Sequence, residues 1–248
     1  HRSMLLPVSF FLSGLIFGSF GSVLITRVPN GEKITGRSRC PQCKTTLSAI
    51  GLIPLVSFCL SRGKCRTCNK PIGMFYPLIE LASGAIFLLA FCLNRDIASS
   101  VFMAMALWLL FIISVIDIRT QTISDMLNIP LSIFGIFYSL EIGAFYWGGA
   151  LVGAGFFGGL WILSKGKWIG SGDIILGAGI GFLVGSWQMM IMCMMMTYII
   201  GAVVAIALVI MGKLHRKSTL PFAQFFSFGA LFAVVFRDRL ELLISMYF

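Results

Sequence analysis

The stretch "KGKWIGSGDIILGAGIGFLVG", residues 165–185, sets two lysines and three glycines ahead of one carboxylate, Asp173. An unbroken run of apolar and small residues follows it. Such a step from polar loop to apolar run recurs along the chain and decides its class. Of 248 residues, 58% are hydrophobic and 11% are charged, with a mean hydropathy of +0.96. A soluble domain carries about 25% charged residues. The chain therefore reads as an all-α polytopic membrane protein whose solvent is mostly lipid. His1-Arg2-Ser3 precede Met4 and read as a cloning remnant, outside the fold.

A helix needs roughly 20 apolar residues to cross the hydrocarbon core. About eight candidate transmembrane helices satisfy or approach this: 4–26, 76–94, 97–117, 127–142, 144–164, 173–185, 187–212 and 222–246. The sixth is short, and its end is set by the small pair Gly185-Ser186. The fourth contains Pro130. In the last, Arg237-Asp238-Arg239 ends the crossing and leaves a tail for the interface. The first run has no A-x-A-like cleavage site after it and reads as a true span. The organisation expected is a first helix (4–26), a polar cytoplasmic segment (27–75) and a helical core (76–248).

The net charge of +10 raises the question of nucleic acid. The basic residues lie in loops between apolar runs, so they read as topology signals and contacts to anionic lipid instead. With eight crossings, 15 of the 19 Lys and Arg residues fall on one side and 4 on the other. The rich side is expected to be cytoplasmic.

The polar segment holds "CPQC" and "CRTC", that is Cys40, Cys43, Cys65 and Cys68, with 21 residues between the pairs. Each C-x2-C can present two thiolates from one tight turn, and two such turns close a tetrahedral site suited to structural Zn2+. The alternatives are two disulfides, disfavoured in a reducing compartment, or four free thiols. Cys59, Cys92 and Cys193 lack paired spacing and read as small core residues.

Only nine acids exist, and two adjoin apolar runs at the inner face. Asp117 ends the third span, where a carboxylate opposes the helix macrodipole; a pair with Arg119 is the simpler explanation. Asp173 begins the sixth span, where capping alone would explain it. Together they lie at one depth on different helices, and packed helices stand 8–10 Å apart. Two carboxylates converging on one water do not both ionise easily, so one serves as acid and the other as base. Gly170 and Gly172 would let backbone approach a substrate closely. Gly177, Gly179 and Gly181 would let the sixth helix pack tightly. Asp125, before the fourth span, could cap it or touch substrate. Glu80 could anchor the second span or receive a basic group.

With these residues in place, the chain resembles the bacterial type IV prepilin peptidases, the leader peptidase/N-methyltransferases among the GxGD intramembrane aspartic proteases. "GLIFGSFGSVLITRVP" (14–29), the cysteine loop (39–68), "KPIGMFYPLIELASG" (70–84), "DIRTQTISD" (117–125), "GSGD" (170–173) and "STLPFAQFFSFGA" (218–230) carry the resemblance. It implies that Asp117 and Asp173 are the catalytic pair. It also implies cleavage of prepilin or pseudopilin leaders at the inner membrane's cytoplasmic face. Methylation of the new N-terminus with S-adenosylmethionine would follow. The chain departs from the family's commoner pattern at Ser124, where proline is usual, and at Phe75, where arginine is usual. The rival class is an ion- or proton-coupled transporter using the same acids as ligands.

Overall fold

The computed structural model describes residues 5–40, 42–46, 53–143, 147–213 and 220–247. Residues 1–4 and most of the basic segment 213–217 lie outside them. Among the described residues the chain is helical, apart from a 3-10 turn at Val28–Asn30 and two isolated bridges. The helices are α1 Leu5–Arg27, α2 Val56–Leu60, α3 Phe75–Leu93, α4 Ile97–Thr120, α5 Asp125–Glu141, α6 Trp147–Ser164, α7 Ser171–Val184, α8 Trp187–Ile210, α9 Ala223–Val235 and α10 Arg237–Tyr247. Five of them, α1, α3, α4, α6 and α8, are long and apolar enough to cross a membrane. The other predicted spans form shorter helices: α5 has 17 residues, α7 has 14 and α9 has 13. At 1.5 Å per residue α7 is about 21 Å long, against roughly 30 Å of hydrocarbon.

The chain divides into two compact units, His1–Ala104 and Met105–Phe248. In the first, α1 and α3 run antiparallel and touch backbone to backbone. A Cβ on Gly14 would meet the Ser83 carbonyl oxygen at 2.6 Å, and one on Gly18 would meet Glu80 Cα at 2.5 Å. Spaced four apart, these two glycines face one groove, and the close approach replaces the hydrophobic drive that lipid does not supply. Phe10 against Phe91 and Phe17 against Phe87 fill the flanks.

In the second unit α7 is gripped from two sides. On α6, a Cβ at Gly149 would lie 2.2 Å from the Gly185 oxygen, and one at Gly153 would lie 2.3 Å from the Gly177 oxygen. On α5, a Cβ at Gly135 would lie 2.9 Å from the Gly179 oxygen. The expectation that Gly177, Gly179 and Gly181 permit tight packing holds, and the partner glycines on α6 complete it. The α7–α8 break also falls where expected. Gly185 takes φ of 113°, a conformation side chains rarely allow, and the Ser186 hydroxyl accepts the Met189 N–H to start α8.

The C-terminal end of α7 is met by a cation. Arg237 donates to the Leu183 and Val184 carbonyl oxygens at 2.8 and 3.1 Å and to the Tyr138 hydroxyl at 2.8 Å. Those carbonyls have no helical partner of their own, and the positive charge suits the negative end of the dipole. The predicted last span is divided here: α9 stops at Val235 and α10 restarts at Arg237.

Candidate active site and metal centre

The first unit carries the cysteine cluster. Both knuckles are built alike. The Cys40 and Cys65 amides donate to Thr45 and Lys70 carbonyls, and their carbonyls accept from Lys44 and Asn69, every bond 2.9 Å. Lys44 and Asn69 hold φ of 59° and 53°, closing each turn the same way. The four Sγ atoms lie within 4.8 Å of one another, and Cys43 and Cys65 are 3.9 Å apart. Tetrahedral Zn2+ with bonds of about 2.3 Å needs sulfurs about 3.8 Å apart, so the donor set fits. The Thr45 hydroxyl, then its amide, draws the Cys43 thiol down to about 6, favouring the thiolate a metal needs. Four sulfurs would fill the coordination sphere, leaving zinc a cross-linking role. Cys65→Ser is expected to lose one bound zinc per chain. Tryptic cleavage within 27–75 should then accelerate about tenfold or more, since the metal's binding energy is folding energy for the loop. Metal analysis and limited proteolysis check both.

Glu80, 8% exposed, belongs to the same unit. Its Oε2 accepts the Leu55 N–H at 2.8 Å, so α3 holds the loop's second half. Leu55 sits at φ 59° in a tight turn closed by Val56 N–H to the Pro54 oxygen. Arg27 secures the loop's entry by donating to the carbonyls of Lys33, Ile34, Thr35 and Arg37.

The second unit holds both apolar-segment aspartates. Asp117, 4% exposed near the C-terminus of α4, has left its own helix dipole for another's. Its Oδ2 accepts the Ala223 N–H at 2.8 Å at the start of α9, with the Phe222 amide beside it. Phe222 offers no side-chain cap, so the carboxylate supplies one. Below it the Ser114 and Ser227 hydroxyls are hydrogen-bonded, and Ser227 donates to the Ala223 oxygen at 2.8 Å. A buried polar ladder thus joins α4 to α9.

Asp173 is half-buried in the first turn of α7. Its Oδ2 accepts the Gly170 N–H at 3.0 Å. Gly170 has no side chain to return that bond, so only half a capping box forms. The other oxygen, Oδ1, is buried with no hydrogen-bond partner among the described residues. The Asp117 carboxylate is near enough for its charge to act on Asp173, and Asp173 in turn acts on Tyr198 of α8. The sequence-predicted pair is therefore brought within electrostatic reach. Tyr198 faces Phe222 and Phe156 at centroid distances of 6.1 and 6.0 Å. It lines an apolar groove of about 490 Å³ between α6 and α8.

Gly172 is buried against the loop after α4: a Cβ there would lie 3.3 Å from the Ile123 Cβ and oxygen. Gly170 is exposed. Asp125 is exposed at the first position of α5. Sequence reading did not single out Asn128, whose Nδ2 donates to the Gly172 oxygen at 2.9 Å. Its signal was present as a lone amide inside an otherwise apolar run. The amides of α9 that hold Asp117 left no signal, because any residue has an N–H.

The model of the Bacterial Peptidase A24 N-terminal domain matches residues 12–93, and that of the Type IV leader peptidase family matches residues 104–206. These segments fall on the two compact units in turn. A "Prepilin leader peptidase/N-methyltransferase" of Bacillus subtilis (strain 168) is 33% identical over 243 residues, spanning 96% of each chain. One from Klebsiella pneumoniae is 38% identical over 194 residues, spanning 72% of this chain and 84% of the relative. One from Aeromonas hydrophila is 28% identical over 93% of this chain and 90% of the relative. No solved structure matches. The chain belongs to the type IV leader peptidase family, a family of aspartic proteases.

Proposed function

We propose, from that membership, that the chain removes the leader from type IV prepilins or pseudopilins and then N-methylates the new N-terminus. Asp117 and Asp173 are the catalytic pair. One carboxyl carries a proton and the other is ionised. The ionised group takes a proton from water as its oxygen attacks the scissile carbonyl. The protonated group gives its proton to the carbonyl oxygen, leaving a tetrahedral diol. Collapse of the diol, with a proton passed to the departing nitrogen, frees an amine and a carboxylic acid. No covalent enzyme intermediate forms. The observation that supports this most is that two sequence-distant acids of one unit, near the end of α4 and in the first turn of α7, lie within range for the charge of one to act on the other.

The protein lies in the inner membrane with its active site toward the cytoplasm. The uneven distribution of Lys and Arg supports that orientation. Lipid and an apolar-helical substrate are the partners, and nucleic acid is not. Zinc on Cys40, Cys43, Cys65 and Cys68 staples the loop. S-adenosylmethionine is the methyl donor by family activity; among the described residues no cradle for its nucleoside or sulfonium is identified. Asp125, Gly170 and Gly172 flank the pair along the chain as secondary groups, and Glu80 anchors the loop.

Mass spectrometry of a prepilin incubated with purified enzyme and labelled S-adenosylmethionine is the test. The expected product lacks its leader and carries one added methyl on the new amine. An uncut substrate under conditions where the protein is folded and zinc-loaded sinks the proposal; cleavage without methyl gain removes its second half.

A further inference from the structure

Asn128 lies one turn into α5 and is 0% exposed. A carbonyl oxygen only accepts, so the bond to Gly172 fixes the amide nitrogen toward Gly172 and turns the amide oxygen away from it. That oxygen is buried and has no hydrogen-bond partner among the described residues. The next residue after Gly172 is Asp173, whose Oδ1 is in the same condition. A buried acceptor without a donor costs about 1–3 kcal/mol, and native proteins rarely leave one without a reason. Here two stand on groups joined through a single hydrogen-bonded peptide. Both are acceptors, so neither can satisfy the other while Asp173 is ionised. Each calls for a donor, and one water carries two hydrogens to donate.

We propose that Asn128 is a positioning residue of the aspartate site: its N–H holds the Gly172–Asp173 peptide, and its oxygen accepts a hydrogen of the water that the pair activates. This rests on the aspartate-pair reading above. Water bound between an amide oxygen and a carboxylate has both hydrogens directed, which leaves its lone pair for the carbonyl carbon. A group that orients only the nucleophile changes kcat and leaves substrate affinity alone.

The test uses full-length enzyme in lipid nanodiscs, a prepilin substrate, and a substrate-like peptide carrying a hydroxyl-bearing tetrahedral carbon at the scissile position. Asn128→Leu keeps size and removes both hydrogen-bonding ends. It should lower kcat about 100-fold with KM within about twofold, and weaken the tetrahedral peptide by a like factor. Asn128→Ser, with a hydroxyl in place of the amide, should restore about tenfold of that loss. An unchanged kcat in Asn128→Leu, or a raised KM with kcat unchanged, overturns the proposal. Should Asn128→Leu fail to fold, Asn128→Ser decides. A kcat about tenfold below wild type with KM unchanged supports the assignment, and wild-type kcat overturns it. Asp173→Asn in the same assay separates the two readings. If it still cleaves, the aspartate pair is wrong; if it is inactive while the Asn128 variants match wild type, only this inference falls.

Discussion

Asp117→Asn and Asp173→Asn each reduce prepilin cleavage by at least about 10³-fold, the scale expected when an acid or base is removed from a site that needs both. Asparagine keeps the shape of the side chain but cannot exchange a proton. Its oxygen can still accept the Ala223 N–H at position 117 or the Gly170 N–H at position 173. The contact between α4 and α9 and the first turn of α7 should therefore persist. Zinc content and gel-filtration behaviour should match wild type, which separates loss of chemistry from loss of fold. Turnover by either variant at more than a few per cent of wild type would falsify the pair as the catalytic groups. Methyl transfer to a pre-cut pilin, measured in the same variants, is expected to survive, because no part of that step needs these protons.

Gly181→Val is the second large effect, and it acts on the fold. A Cβ at Gly181 would lie 2.4 Å from the Gly149 oxygen and carbon and 2.5 Å from Ala150 Cα. All three are backbone atoms, so no rotamer change relieves the clash; α6 and α7 must separate. Overpacking a core usually costs about 1–3 kcal/mol, and backbone against backbone lies at or above the top of that range. Separation would also shift the α7 turn that carries Asp173. The variant should be recovered in low yield, unfold at a lower temperature and show little cleavage. Gly158→Val is the control, because a Cβ there meets nothing within 4 Å. It should retain wild-type melting and activity. Equal behaviour of the two variants would refute glycine packing as the determinant of α7 placement.

Much of this architecture could be read from residue types. Apolar runs marked seven helices to within a few residues, because lipid leaves the backbone few alternatives to a helix; the last run divides into α9 and α10, and α2 lay unmarked in the polar segment. Paired cysteines at short spacing marked the metal cluster. The scarcity of acids made Asp117 and Asp173 conspicuous. What stayed hidden depends on partners chosen in three dimensions. Nothing in "PFAQFF" advertises that the amide of Ala223 will receive Asp117. Gly149 and Gly153 look like ordinary apolar filler until α7 is laid against them. Arg237 read as the end of a crossing, and its second task, capping α7, depends on two carbonyls more than 50 residues away in sequence. Asn128 was visible as an oddity, but its meaning required knowing where Gly172 lies.

Helix α7 is about 9 Å shorter than the oily layer of an average bilayer is thick. The guanidinium of Arg237 sits at its C-terminal end and is held by the Leu183 and Val184 carbonyls and the Tyr138 hydroxyl. A helix this short meets a mismatch in a bilayer of average thickness, so acyl-chain length is expected to act on how Asp173 is presented. The surrounding membrane is part of this protein's working geometry as much as its own side chains are.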